Sequence, residues 1–186
     1  MRKLLLVALP LFLFSCKASG QIGTVKTEEY QADFEKRQSM AVVSDYTDTI
    51  VIPIQVLKIG INEELYDMCQ SYFEKAGLSK KIIQHIGNAA DIIPRIDCIF
   101  DLVFIDADKQ NYHLYYDLVI DRLPIGAYIL ADNVLYDGEV LLAQEEQSKN
   151  AKAIQAFNEK IRADKRVIQV LLPIRDGLLL MKKISD

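Results

Sequence analysis

Two short stretches hold residue types able to do chemistry. The apolar run 101–105 leads into Asp106-Ala107-Asp108-Lys109, and the run 127–131 leads into Asp132-Asn133. The interval between them has the length of one strand-to-strand crossover. Both therefore fall at the carboxyl ends of neighbouring parallel strands, the edge where open α/β sheets bind ligands. Asp106, Asp132 and Asn133 would converge there as three oxygen donors. Such a set suits a hard divalent cation such as Mg2+. Two ionised carboxylates side by side call for a compensating positive charge, or one is driven toward protonation. Taken singly, each stretch reads as solvated loop acids or a helix cap. Their common register is what points to a site.

The elements that would position these residues alternate along the chain. Asn62 opens a helix with Glu63 and Glu64 in its first turn, and Gly77 ends it. Leu65, Met68, Cys69, Tyr72, Phe73 and Ala76 recur at helical spacing on one face. Strands are expected over 81–86, 100–105, 127–130, 167–172 and 178–184, and helices over 89–93, 111–123 and 148–163. This order implies an α/β fold with a parallel sheet and covering helices. The last two strands, joined through Asp176-Gly177, are close enough only for an antiparallel hairpin. Upstream, a helix over 27–36 and apolar runs over 41–46 and 49–59 are expected.

The chain has 186 residues, 51% hydrophobic and 26% charged, with a net charge of −4, which fits one ordinary globular domain and argues against a nucleic-acid backbone binder. Cys16, Cys69 and Cys98 lack the spacing of a disulfide framework or a zinc finger, and the last two read as core thiols. The N-terminus has Arg2 and Lys3 ahead of an apolar run over 4–14. That run is too short to span a bilayer as a helix, and the pattern reads as a secretory leader. Leu13-Phe14-Ser15-Cys16 resembles a bacterial lipobox. Residues 1–15 would then be a signal peptide of the lipoprotein type, with Cys16 lipidated and the chain anchored to a membrane. The alternative for this run is a buried N-terminal helix or strand, with Pro10 weighing against the helix.

The segment 101–140, DLVFIDADKQNYHLYYDLVIDRLPIGAYILADNVLYDGEV, resembles the cation-dependent O-methyltransferases of the caffeoyl-CoA and catechol type. These enzymes use S-adenosylmethionine and are common in bacteria. The resemblance runs on through LPIRDGLLLMKK and back through the helix after Asn62, covering roughly 57–186 as a partial methyltransferase domain; 16–56 is unmatched. It implies a Rossmann-like, mostly parallel sheet with a C-terminal antiparallel hairpin. It implies S-adenosylmethionine and Mg2+ as cofactors and methyl transfer to a catechol-like or phenolic hydroxyl. Asp106, Asp132 and Asn133 would hold the metal and Lys109 would take the hydroxyl proton. Gly87, Asn88 and Ala89 would lie against the adenine, with Asp106 also touching the cofactor, and Tyr136 would flank the acceptor ring. Family members are often homodimers. Their cytoplasmic cofactor conflicts with the destination of the leader.

Two departures stand out. The family's glycine-rich turn, E-x-G-x-x-x-G, should precede Asn62, yet 17–57 offers only Gly20 and Gly23. Gly60 stands where an acid would bind the ribose hydroxyls. The runs 41–46 and 49–59 are separated by Thr47 and Asp48 alone, too little for a parallel crossover. The first βα unit is thus expected to be missing or replaced and cofactor binding to be impaired. The rival reading is a lipid-anchored envelope protein with a vestigial, non-catalytic domain.

Overall fold

Short runs rich in Leu, Ile and Val form a seven-stranded sheet. The computed structural model describes residues 2–8 and 54–186; residues 1 and 9–53 lie outside the described residues. The strands are β1 (Arg2–Ala8), β2 (Ile54–Gly60), β3 (Ile82–Ile86), β4 (Leu102–Asp106), β5 (Tyr128–Asp132), β6 (Val167–Leu172) and β7 (Leu178–Lys183). Their order is β3-β2-β1-β4-β5-β7-β6. The first five named are parallel, and β7 pairs antiparallel with both β5 and β6, as the short connection through Asp176-Gly177 requires. The helices are α1 (Tyr66–Lys75), α2 (Ala89–Ile92), α3 (Tyr112–Ile120) and α4 (Lys149–Ala163). Asn62, Asn88 and Ser148 each accept a backbone N–H as caps.

The direction of winding reverses between β1 and β4, which makes their carboxyl ends the switch point of the sheet. One face of the sheet, carrying Leu57, Ile59, Val103, Ile105, Ile129 and Ala131, is buried in a common core with Ile93, Tyr112, Tyr116, Ile154 and Phe157 from the helical side. Tyr112 and Tyr116 meet the Phe157 ring edge-on at 5.6 and 6.4 Å. Lys58, of opposite parity in β2, reaches Cys69 of α1 and Gln84 of β3.

Residues 2–8, expected within a leader, form β1 at the centre of the sheet, in register with both β2 and β4. Of the 4–14 run, residues 4–8 are described and are strand. A parallel strand flanked on both sides reads as a continuous apolar run, the same composition that marks the core of a signal peptide. The position of the family's first strand is thereby filled from the extreme N-terminus. Cys16, the 27–36 helix and the 41–46 run lie outside the described residues. Strands expected to stop at 105 and 130 extend to Asp106 and Asp132, so both acids are terminal strand residues. The apolar stripe of α1 differs from expectation: Cys69 is buried, whereas Met68 and Tyr72 are 42% and 51% exposed.

The turn before β7 braces the loop after β5, and an ion pair closes the end of α4. Gly177, at φ +81°, precedes β7, and a Cβ there would stand 2.6 Å from Leu135 Cγ. Its carbonyl accepts from Val134 N–H, and the Asp176 carbonyl accepts from Leu135 N–H, so this turn holds the loop after β5. Gly177→Ala should destabilise the protein by roughly 1–3 kcal/mol in denaturant titration, through overpacking and a left-handed backbone. At the end of α4, Asp164 accepts from Arg166 and from the Tyr116 hydroxyl. Chiefly through the Arg166 hydrogen bonds, its carboxyl is held down at about 2. A lowered carboxylate pKa stabilises the fold above the unfolded-state value and loses that contribution as pH falls toward 2. Asp164→Asn should therefore cost on the order of 1–2 kcal/mol at neutral pH, a difference that closes between pH 4 and pH 2 in parallel unfolding curves.

Candidate active site

Strand β4 ends on Asp106, and the chain turns through buried Ala107 into a 3-10 turn, Lys109–Asn111, that leads into α3. This tight turn sends Lys109 back across the strand ends. In the neighbouring strand, Asp132 is followed by Asn133 at φ +59°, a left-handed conformation that Asn tolerates. The Asn133 N–H donates to Asp132 Oδ1 at 2.8 Å. These two turns bring Lys109 Nζ to 2.9 Å from Asn133 Oδ1, 3.3 Å from Asp106 Oδ1 and 2.6 Å from the Tyr112 hydroxyl oxygen. The lysine side chain is only 13% exposed. Tyr112 in turn donates to the main-chain carbonyl of Asp132 at 3.0 Å. Burial, then the neighbouring Asp106 carboxylate, pushes the Tyr112 hydroxyl pKa up, so it stays protonated.

Two of the three expected oxygen donors, Asp106 and Asn133, thus meet at a single positively charged atom. The third, Asp132, directs one carboxylate oxygen at its own loop. Among the described residues no group of three or more His, Cys, Asp or Glu gathers as a metal-ligand set. A cation here would depend on the Asn133 amide oxygen together with the two carboxylates. That all-oxygen set fits a hard divalent cation, and a cationic atom already lies within hydrogen-bond reach of two of its members.

Beside this cluster lies a cavity of about 250 Å3. Its walls come from the ends of three parallel strands: Ile59 and Gly60 of β2, Gly87-Asn88-Ala89 after β3, and Ala107 and Asp108 after β4. The Gly87–Ala89 segment lines it. Gly87 takes φ +140° and an added Cβ would press on Ile92, while the Asn88 side chain caps α2. Asp106 is not part of this wall and faces Lys109, while Asp108 lines the cavity. Asp108 accepts from the Tyr115 hydroxyl and from Asn111, two further lining residues. Burial, then the bond to Asp108, raises the Tyr115 pKa. Sequence reasoning passed over Asp108, Asn111 and Tyr115. Their spacing, three and four residues along a turn that becomes a helix, was the available signal.

Tyr136 opens a kinked 3-10 segment, Tyr136–Leu141, with itself and Asp137 at positive φ. Its hydroxyl accepts from Asn150 at 2.8 Å, and Asn150 accepts from Gln110 at 3.1 Å. A second cleft, of about 280 Å3, opens beside it between Leu135, Gly138, Leu141 and Arg175.

Comparison with known proteins places this geometry. The O-methyltransferase family profile matches residues 48–184. A Dictyostelium discoideum protein named "Probable caffeoyl-CoA O-methyltransferase 2" is 37% identical over 136 residues, 70% of this chain and 59% of its own length. The caffeoyl-CoA O-methyltransferase of Petroselinum crispum is 33% identical over 144 residues, with the same coverage of each chain. The chain thus spans 59% of the length of these relatives. Two solved structures share the fold. TomG of Streptomyces achromogenes, in complex with SAM, has a TM-score of 0.69 at 20% identity, covering 99% of this chain and 74% of its own. An O-methyltransferase from Bacillus cereus, in complex with SAH, has a TM-score of 0.66 at 23% identity, covering 98% and 74%. From the matched profile, the chain belongs to the O-methyltransferase family.

Proposed function

We propose that this chain methylates a catechol-like or phenolic hydroxyl, using S-adenosylmethionine and a divalent cation such as Mg2+, with cofactor binding weakened at the methionine end. The observation that carries this reading is the convergence of Asp106, Lys109 and Asn133 beside the cavity at the strand ends. S-adenosylmethionine supplies an electrophilic sulfonium methyl. A cation on Asp106, Asp132 and Asn133 would favour the ionised form of an acceptor hydroxyl. Lys109 Nζ, as the neutral amine left once its own proton has passed to solvent, would take the hydroxyl proton. Gly87–Ala89 offers a flat wall for a nucleobase, and Asp108 offers an acceptor held by Tyr115 and Asn111. Tyr136, clamped by Asn150, would flank the acceptor ring.

The weakening follows from two places. Gly60 ends β2 without a carboxylate for the ribose hydroxyls. After β1 the chain reads Leu9-Pro10-Leu11-Phe12, with no glycine to allow close backbone approach to a ligand.

Isothermal titration should find S-adenosylmethionine binding only in the millimolar range; low-micromolar affinity would contradict the weakening. With a catechol acceptor and Mg2+, slow methyl transfer is expected, reduced about a hundredfold or more in Lys109→Met while cofactor affinity is kept. Added Mg2+ should raise the melting temperature of the parent and leave that of Asp132→Ala unchanged. A parent that neither binds the cofactor nor transfers a methyl group would end this reading.

A further inference from the structure

We propose that Tyr112 is a positioning residue that holds Lys109 at the Asp106 and Asn133 oxygens. The proposal rests on the reading of Lys109 as the proton acceptor. A lysine amine rides on four rotatable bonds, and misplacing a reacting group by about 1 Å can cost a hundredfold in rate. Something rigid has to fix it. Tyr112, the first residue of α3, is fully buried, and its ring is set edge-on against Phe157. Its hydroxyl proton is committed to the main-chain carbonyl of Asp132. What remains toward Lys109 is a lone pair, at 2.6 Å, closer than either of the other two oxygens the amine meets. A tyrosine oriented in this way accepts from the ammonium and cannot compete with it as a donor to Asp106 or Asn133. It also ties the lysine, which follows β4, to the last residue of β5. Lys109 therefore keeps its place relative to both strand ends.

Tyr112→Phe removes one oxygen and keeps the ring and its contact with Phe157. The expected result is a kcat about ten- to a hundredfold lower, with acceptor KM, cofactor affinity and melting temperature nearly unchanged. In a Lys109→Met background the same substitution should cost nothing further, because Tyr112 acts through Lys109. A second readout needs no activity: acetylation of lysines by acetic anhydride, followed by mass spectrometry. Lys109 should label several-fold faster in Tyr112→Phe than in the parent, relative to the exposed Lys165. Unchanged labelling of Lys109 overturns the proposal. So does a kcat loss that persists in the Lys109→Met background, or a fall in melting temperature with every buried lysine labelling faster. If the parent transfers no methyl group yet Lys109 labels faster in Tyr112→Phe, the functional reading falls while the hold of Tyr112 on Lys109 stands.

Discussion

The parallel pairing of β4 with β5 is the constraint on which the rest depends. Parallel strands in register end at the same edge, so Asp106 and Asp132 finish side by side without any loop having to bring them together. Such a pair of carboxylates needs a positive charge nearby, and the turn after β4 supplies one in Lys109. The antiparallel β7 then secures β5 from its other side, and the turn before β7 holds the backbone of 134 and 135. Position and charge balance at the site are thus consequences of sheet topology, with loops adding only the final reach.

The cavity obeys the same logic one strand further on. The reversal of winding between β1 and β4 leaves a crevice that no crossover helix can fill. Its described walls are short segments after β2, β3 and β4, and glycines at 60 and 87 keep two of those segments low. The polar side of the cavity comes from the first turns of α3, where Asp108 and Tyr115 meet.

Much of this was legible in the sequence, for identifiable reasons. Strands that alternate with helices and end in Asp or Asn announce both their class and their polarity, which is why Asp106, Asp132 and Asn133 stand out in the sequence, whereas the Gly87–Ala89 segment comes only from the family resemblance. Composition does not separate a leader from a central parallel strand, because both are apolar runs; residues 2–8 form β1. The α1 stripe misled because spacing reports a face and not what covers it; Cys69 alone of that stripe is buried among the described residues. Tyr112 and Tyr115 were missed because a tyrosine at the start of a helix reads as core. Their rings are in fact core, and only their hydroxyls belong to the site.

The chain of contacts from Gln110 through Asn150 to Tyr136 joins the turn after β4, the start of α4 and the loop after β5. These three pieces come from distant parts of the sequence and are linked by two side-chain hydrogen bonds. On the proposed function, an acceptor too large for the gap between them would have to break these bonds or shift α4, a helix whose Ile154, Phe157 and Ile161 are buried in the core. Selectivity for acceptor size would then be a property of helix packing, tunable from residues that no acceptor touches.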